Sequence, residues 1–333
     1  MHSVSILMCS YNGDLMLPKT VAAIKQLQVQ PFDFVEFVFV DNNSKNDLQK
    51  IVRYLWNEMS TTIQLITTFE KKSGKIAAFL SGFKLCRGEY IVVCDDDNEL
   101  NESYLQEGVN YLKSNAKVGV LGGCGIPSSN VDLPDWLTTY LPDFACGPQA
   151  TKTGNVFPGR NVVYGAGMWF RASLFQTALN NGFQFMFDYV KDDPSVKKLS
   201  NGGEDGELCW SIKYQGFEIH YLETLKFNHW IDQHKLSVQY LTQIKSRRTK
   251  LTLLSQVYRR AFTMDVLNVK NYWIKEIFYL ILYFFKNFQF SRSYLSNETN
   301  RNFSNLVFLL SYRNKYDEIL NNLLEYKKNF FLK

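Results

Sequence analysis

The sequence predicts an α/β fold: a mostly parallel sheet flanked by helices, followed by a helical C-terminal region. Three observations carry that expectation. Short apolar runs alternate with segments of helical periodicity over the first 120 residues. The runs end in polar residues, at Ser10, Asp41 and Asp95. Residues 240–333 then read as helices with apolar faces. Strands separated by helices pair in parallel through right-handed crossovers, and such sheets bind ligands in the crevice at the strand C-termini.

Val4 to Cys9 is the first expected strand, and Leu17 to Val29 a helix with Pro18 in its first turn, where the missing N–H costs little. Ser10-Tyr11-Asn12-Gly13 is the loop between them. A second strand, Val35 to Val40, runs into Asp41-Asn42-Asn43-Ser44, and a helix from Asn46 to Met59 precedes a third strand near Ile63 to Thr67. Gly74-Lys75 opens another helix that places Ile76, Leu80 and Phe83 on one face and has Gly88 beyond its end. The strand Tyr90 to Cys94 then delivers Asp95-Asp96-Asp97 to the same sheet edge as Asn12 and Asp41. Beyond a short strand at Val118 to Leu121 the chain is rich in glycine and proline up to Val162, and the segment Val162 to Arg171 follows. A helix from Glu204 to Gln215, stopped at Gly216, leads into the alternating strand Phe217 to Leu222.

The chain has 333 residues, of which 46% are hydrophobic, enough for a substantial core. Its charge of +5 conceals two segments: residues 1–239 carry 21 Lys/Arg against 26 Asp/Glu, a net of −5, and 240–333 carry 16 against 6, a net of +10. This divides the chain into an expected catalytic region, 1–239, and a basic, aromatic helical region, 240–333. The apolar run Ile277 to Phe285 is too short to span a bilayer. Six cysteines lack C-x-x-C spacing, no two stand near a histidine at zinc-site spacing, and no signal-peptide pattern precedes Val4. A cytoplasmic protein with reduced thiols is the expectation.

Two acidic groups carry the chemistry. Asp95-Asp96-Asp97 ends a strand, and Gly203-Glu204-Asp205-Gly206-Glu207 opens a helix about a hundred residues later. Clustered carboxylates repel, and a cation relieves the repulsion; oxygen-only ligands suit Mg²⁺ or Mn²⁺. A metal with a separate carboxylate base points to transfer from a phosphorylated donor.

With these motifs in order from Val4 to Trp230, the chain resembles a family 2 glycosyltransferase of the GT-A fold. The resemblance implies a nucleotide-sugar-binding half, 1–120, and an acceptor-side half, 121–239. It identifies Asp95 and Asp97 with the two aspartates of the D-x-D motif, which hold Mg²⁺ or Mn²⁺ against the donor diphosphate. Asp97 is the first expected metal ligand, with Asp95 reaching the ribose or the metal through water and His229 completing the shell. Ser10, Tyr11, Asn12, Asp41, Lys75, Asp95 and Asp96 are the expected contacts to the nucleotide sugar, although Asp41 also fits an Asx turn and Lys75 a solvated loop. Glu204-Asp205 corresponds to the E-D motif: Asp205 is the general base, and Glu204 orients the acceptor or a donor hydroxyl. A base opposite the leaving group implies inversion. Gly167 and Trp169 are expected on the acceptor side, with Trp169 either stacking on a sugar or filling the core.

No Q-x-x-R-W sequence occurs, the signature of the processive synthases of that superfamily, so single-sugar addition is expected. The donor implied is a UDP-sugar, and the acceptor a saccharide or lipid-linked saccharide hydroxyl in cell-surface polysaccharide assembly. Residues 240–333 fit either a surface that docks peripherally at the inner face of an anionic membrane or a helical subdomain with solvated charges. No nucleic-acid reader motif accompanies them, and no nucleic-acid partner is expected. The rivals are a metal-dependent nucleotidyltransferase, which would not need a base like Asp205, and a non-catalytic sugar-nucleotide or membrane-binding protein.

Overall fold

The computed structural model describes residues 2–58, 60–186, 203–265, 269–287 and 295–331, the side chains of 246–254, 283–287, 295–308, 311–312, 314 and 331 excepted. These fall into two compact units, Met1–Asn180 with Glu204–Leu241, and Asn181–Gly203 with Thr242–Lys333.

The first unit is built on one sheet of nine strands. In chain order its elements are β1 (Ser3–Ser10), α1 (Leu17–Lys25), β2 (Phe34–Asp41), α2 (Leu48–Asn57), β3 (Gln64–Phe69), α3 (Lys75–Phe83), β4 (Tyr90–Val93), β5 (Asn98–Leu100) and α4 (Tyr104–Ser114). They continue with β6 (Val118–Ser128), α5 (Leu137–Tyr140), β7 (Gly154–Asn155), β8 (Trp169–Arg171), α6 (Ala172–Asn180), α7 (Glu204–Lys213) and β9 (Glu218–Trp230). The strand order is β3-β2-β1-β4-β8-β6-β9-β5, with β7 on β9. Pairing is parallel among β1 to β4 and between β6 and β9, and antiparallel where β8, β5 and β7 join.

The parallel expectation therefore holds for the four N-terminal strands, and the second half is mixed. The reason is connectivity: β8 follows a long loop rather than a crossover helix, and only a crossover returns a strand in parallel. Two strands are longer than their patterns suggest. The run expected to end at Leu121 continues as β6 to Ser128, through Gly122, Gly123 and Gly125, and the one expected to end at Leu222 continues as β9 to Trp230. Each is the other's parallel partner, and that pairing overrides the weak strand propensity of glycine. Met59, the expected end of α2, lies outside the described residues.

Strands covered by helices on both faces should be apolar throughout rather than alternating. Val4, Ile6, Leu7 and Met8 of β1 and Phe37, Val38, Phe39 and Val40 of β2 are all fully buried. They join Leu17, Val21 and Ile24 of α1 and Leu105, Val109 and Leu112 of α4 in the core, each such side chain contributing about 1.5–3 kcal/mol. One charge lies inside this layer. Glu36 of β2 is fully buried and accepts from the Ser5 hydroxyl (2.6 Å), the Arg87 backbone N–H (2.6 Å) and the Arg87 guanidinium through Nε (3.0 Å) and Nη2 (2.9 Å). Those donors occupy the lone pairs that burial would otherwise leave unsatisfied.

The second unit contains most of α8 (Val238–Thr263), together with α9 (Tyr272–Asn287) and α10 (Leu295–Phe331). Tyr316, Ile319, Leu320, Leu323 and Leu324 of α10 are buried at helical spacing. Asn321 accepts from and donates to the Val269 backbone (2.8 and 2.9 Å), and Asp317 accepts from the Trp273 N–H (3.2 Å) at the first turn of α9. Arg260 pairs with the buried Glu276. No described helix is long and apolar enough to cross a membrane. The six cysteines are free thiols.

Candidate active site at the strand C-termini

Register fixes which loops meet. Ser10 pairs with Asp41 across β1 and β2, which end level, and Leu7 pairs with Val93 across β1 and β4, so β4 ends three residues earlier and the turn that follows it runs on beside the other two strand ends. Backbone and side-chain bonds then tie their loops together. The Asn12 N–H donates to Ser44 Oγ (2.9 Å) and its side-chain oxygen accepts from the Lys45 N–H (2.9 Å). Asn42 donates to the Lys72 carbonyl (2.8 Å) and accepts from the Gly74 N–H (2.8 Å), which fixes the start of α3 and hence Lys75.

Asp41 is 2% exposed, and its carboxylate accepts from the Ser44 N–H (3.0 Å) and the Leu48 N–H (3.3 Å). The structure therefore contains the Asx turn: the carboxylate shapes the loop and the start of α2. Tyr11, by contrast, is 61% exposed and free to lie against a base. Ser10 is buried, and its hydroxyl donates to the Asp96 carboxylate.

The three aspartates have separate environments. Burial, then the charge of Asp97, push the Asp96 pKa up to about 6, against the Ser10 hydrogen bond. The backbone around it is held by Thr20 of α1, whose hydroxyl donates to the Asp96 carbonyl (2.7 Å). Asn98, fully buried, accepts from the Asp95 N–H (3.2 Å) and donates to Asp97 Oδ1 (3.3 Å), closing the turn. Asp97 faces two cations, His229 Nε2 at 3.7 Å from Oδ1 and Lys235 Nζ at 3.5 Å from Oδ2. Burial opposes its charge, but close contact with His229 and then the Lys235 charge hold its pKa down at about 2. His229 reaches this position because Asn98 of β5 pairs with His229 of β9. Burial opposes the imidazolium too, and Asp97 and Cys146 more than offset it, raising its pKa to about 10.

Asp95 turns the other way. Lys75, the first residue of α3, reaches Asp95 Oδ1 at 2.9 Å and Glu204 Oε1 at 3.2 Å. One ammonium thus joins the acidic turn after β4 to the first turn of α7. Burial works against its charge, and Asp95 and Glu204 outweigh burial, holding its pKa well above the ordinary value. Asp205, next to Glu204, accepts from the Gly165 N–H (3.0 Å) and the Gly206 N–H (2.7 Å). Gly165 is needed for close approach: a Cβ there would meet Asp205 Cβ at 3.2 Å. Burial first, then the neighbouring Glu204 charge, raise the Asp205 pKa, against Lys75 and the two N–H groups.

Two acceptor-side expectations are corrected. Trp169 is 0% exposed in β8, its ring stacked on Tyr104 with centroids 6.2 Å apart, so no face is left for a sugar. Gly167 is also buried; at φ +66 its carbonyl accepts from the Tyr104 hydroxyl (2.7 Å), and a side chain would collide with that hydroxyl. Both residues are core-forming. Lys235, Asn42 and Asn98 are site residues that carry no role in the motif reading, and Gly165, which that reading places in the acceptor-side segment, instead donates to Asp205; their signals are three-dimensional, a turn after β9 and hydrogen bonds between loops.

Among the described residues no group of three His, Cys, Asp or Glu side chains converges to hold a metal. Asp95 is committed to Lys75, which leaves Asp97 and His229 as the facing pair. One carboxylate and one imidazole still suit Mg²⁺ or Mn²⁺, which are held by one or two protein groups and completed by substrate phosphate oxygens.

Comparison with known proteins bears on the family and the fold. The family model described as glycosyl transferase family 2 matches residues 5–179, just over half of the chain, and contains the three aspartates and Lys75 but not Asp205 or His229. The GalNAc(5)-diNAcBac-PP-undecaprenol beta-1,3-glucosyltransferase of Campylobacter jejuni is 28% identical over 127 residues, 37% of this chain and 38% of that protein. The match thus spans well under half of that relative. The structure of TarS from S. aureus in complex with UDP-GlcNAc superposes with a TM-score of 0.56 at 14% identity, covering 98% of this chain and 90% of that one. Mannosyltransferase PcManGT from Pyrobaculum calidifontis, in complex with GDP-Man and Mn²⁺, gives 0.55 at 14% identity, covering 99% and 87%. At such identities the likeness establishes the shared fold.

Proposed function

This chain belongs to glycosyl transferase family 2, and on that premise we propose that it transfers one sugar from a nucleotide-diphospho-sugar to a saccharide or lipid-linked saccharide hydroxyl, inverting the anomeric centre. UDP is the favoured nucleotide, by similarity to TarS, which binds UDP-GlcNAc. The observation that carries the reading is the Lys75 bridge, which sets the Asp205 turn beside the acidic turn at one sheet edge. A base and a leaving-group site are then neighbours, as a single in-line displacement requires.

Asp205 takes the proton of the attacking hydroxyl at its carboxylate, held in orientation by the Gly165 and Gly206 N–H groups. Glu204, anchored to Lys75, orients the acceptor or a donor hydroxyl. Tyr11 and the loop that Asp41 shapes receive the base, and Asp95 the ribose. Asp97, with His229 once metal entry displaces the proton from its ring, would hold Mg²⁺ or Mn²⁺, which when bound supplies charge stabilisation to the departing diphosphate. A lipid-linked acceptor would place the enzyme at the cytoplasmic face of a membrane.

The deciding experiment screens purified protein against UDP-, GDP- and other nucleotide sugars with and without Mn²⁺, reading thermal shift and nucleotide release. A metal-dependent response to a UDP-sugar is expected. A response to nucleoside triphosphates alone would favour the nucleotidyltransferase reading, and a thermal shift without nucleotide release a silent sugar-nucleotide-binding protein.

Lys235 gives a second test. Its ammonium, 3.5 Å from Asp97 Oδ2, competes with a metal for Asp97 and, once displaced, is a cation available to the diphosphate. Lys235→Met is expected to leave Mn²⁺ affinity equal or tighter while turnover falls about tenfold, less than the roughly 10²–10³ for a buried charge-stabilising group because the side chain is partly exposed. Weakened Mn²⁺ binding in that variant would mean that Lys235 supports the metal site instead.

A further inference from the structure

Helix α9 carries a feature that the transfer chemistry does not use. Its inner face is packed: Tyr272 and Glu276 are buried, Glu276 against Arg260. Its outer face is apolar and open. Ile274 is 50% exposed, Phe278 59%, Ile281 39% and Leu282 48%, and Tyr279 beside them is 46% exposed. Positions 274, 278, 281 and 282 fall on one stripe at i, i+4, i+7 and i+8. Isolated exposed leucines are ordinary on a protein surface, but a continuous stripe on a helix whose other side is already buried is not.

Two quantities choose the occupant. The five side chains offer on the order of 400 Å², about half of the roughly 800 Å² per partner in a standard interface between proteins. A second copy of the chain would need contacts that this face does not supply. Charge then points to the alternative. Residues 240–333 hold 16 Lys/Arg against 6 Asp/Glu, and two of those acids, Asp265 and Glu276, are already paired with Lys327 and Arg260. Lys270 and Lys275, both exposed, sit before and beside the stripe. With an apolar stripe, basic residues at its rim, and no described helix able to span, the combination fits a helix lying in the plane of a lipid interface.

We propose that α9 is a membrane-docking helix, seating Ile274, Phe278, Ile281 and Leu282 among the lipids of an anionic bilayer, with Lys270 and Lys275 at the headgroups. This extends the membrane placement proposed above, and its test needs no turnover, so its failure leaves the transferase reading intact. The full chain would be sedimented with vesicles of phosphatidylcholine alone and of phosphatidylcholine mixed with phosphatidylglycerol. Binding to the mixed vesicles that weakens with salt is expected, with little binding to the neutral ones. The exposed double substitution Ile274→Ser with Phe278→Ser should reduce binding at least tenfold while circular dichroism and thermal midpoint stay unchanged, and Lys270→Glu with Lys275→Glu should reduce it through the charge term alone. Absence of vesicle binding, or binding by either double variant equal to that of the unsubstituted chain, overturns the proposal. So does a concentration-dependent dimer that the serine variant abolishes, which would assign the stripe to a second copy.

Discussion

Asp205→Asn is expected to abolish sugar transfer, lowering turnover about a thousandfold, the middle of the range for loss of a positioned general base. That corresponds to about 4 kcal/mol in the barrier. The substitution keeps the shape of the side chain and an oxygen that can still accept from the Gly165 N–H, so the turn before α7 should persist. Binding of UDP and of Mn²⁺ should be unchanged, because those contacts lie on the other side of the Lys75 bridge. Unchanged turnover would remove Asp205 from the mechanism, and loss of UDP binding would make it a structural residue.

The same carboxylate predicts a pH signature. Burial and Glu204 raise the Asp205 pKa, so the group is protonated, and useless as a base, up to a higher pH than an ordinary aspartate. Activity should therefore fall as pH is lowered through that raised value, with an acid limb above the usual carboxylate range near 4. The sign for stability is opposite: a folded pKa above the unfolded one means that the ionised form costs stability, so this residue destabilises the fold as pH rises through it. A base strengthened at the expense of the fold is what functional groups often show. Glu204→Gln removes the neighbouring charge and should move the acid limb to lower pH.

How much of this was legible in the sequence depends on the range of the interactions. The strand tips at Ser10, Asp41 and Asp95 could be read because strand, turn and helix are local patterns, and the parallel order of β1 to β4 follows from alternation alone. The reach of β6 to Ser128 could not, because its glycines are strand-compatible only once β9 lies alongside. Asp205 was found by its motif, but its setting was not: nothing in the order of residues says that Lys75 meets Glu204, residues far apart in the chain. Trp169 shows the converse. An aromatic beside glycines reads equally as sugar platform or core, and only its packing on Tyr104 decides for the core. The difference between Asp41 and Tyr11 is of the same kind, since both sit at strand ends and burial alone separates the turn-former from the exposed ring.

Asp97→Asn carries the second large effect. If Asp97 and His229 are the protein's hold on the metal, neutralising the carboxylate removes the anionic ligand and leaves an amide that binds hard cations weakly. Turnover should fall about a thousandfold, the upper end for a lost charge-stabilising element at a leaving group. The contrast with Asp205→Asn lies in the ground state: here the thermal shift given by Mn²⁺ should vanish and donor binding should become metal-independent and weak. The fold should survive. The Asp97–His229 contact is 3.7 Å long and the Asp97–Lys235 contact 3.5 Å, and each side chain keeps some exposure, so their joint loss should cost about 1 kcal/mol. His229→Gln, which retains Asp97, should weaken Mn²⁺ binding less than Asp97→Asn does. If Asp97→Asn instead kept its Mn²⁺ response and its turnover, neutralisation of the diphosphate would pass to Lys235 and Lys75, and the acidic turn after β4 would be left with the ribose alone.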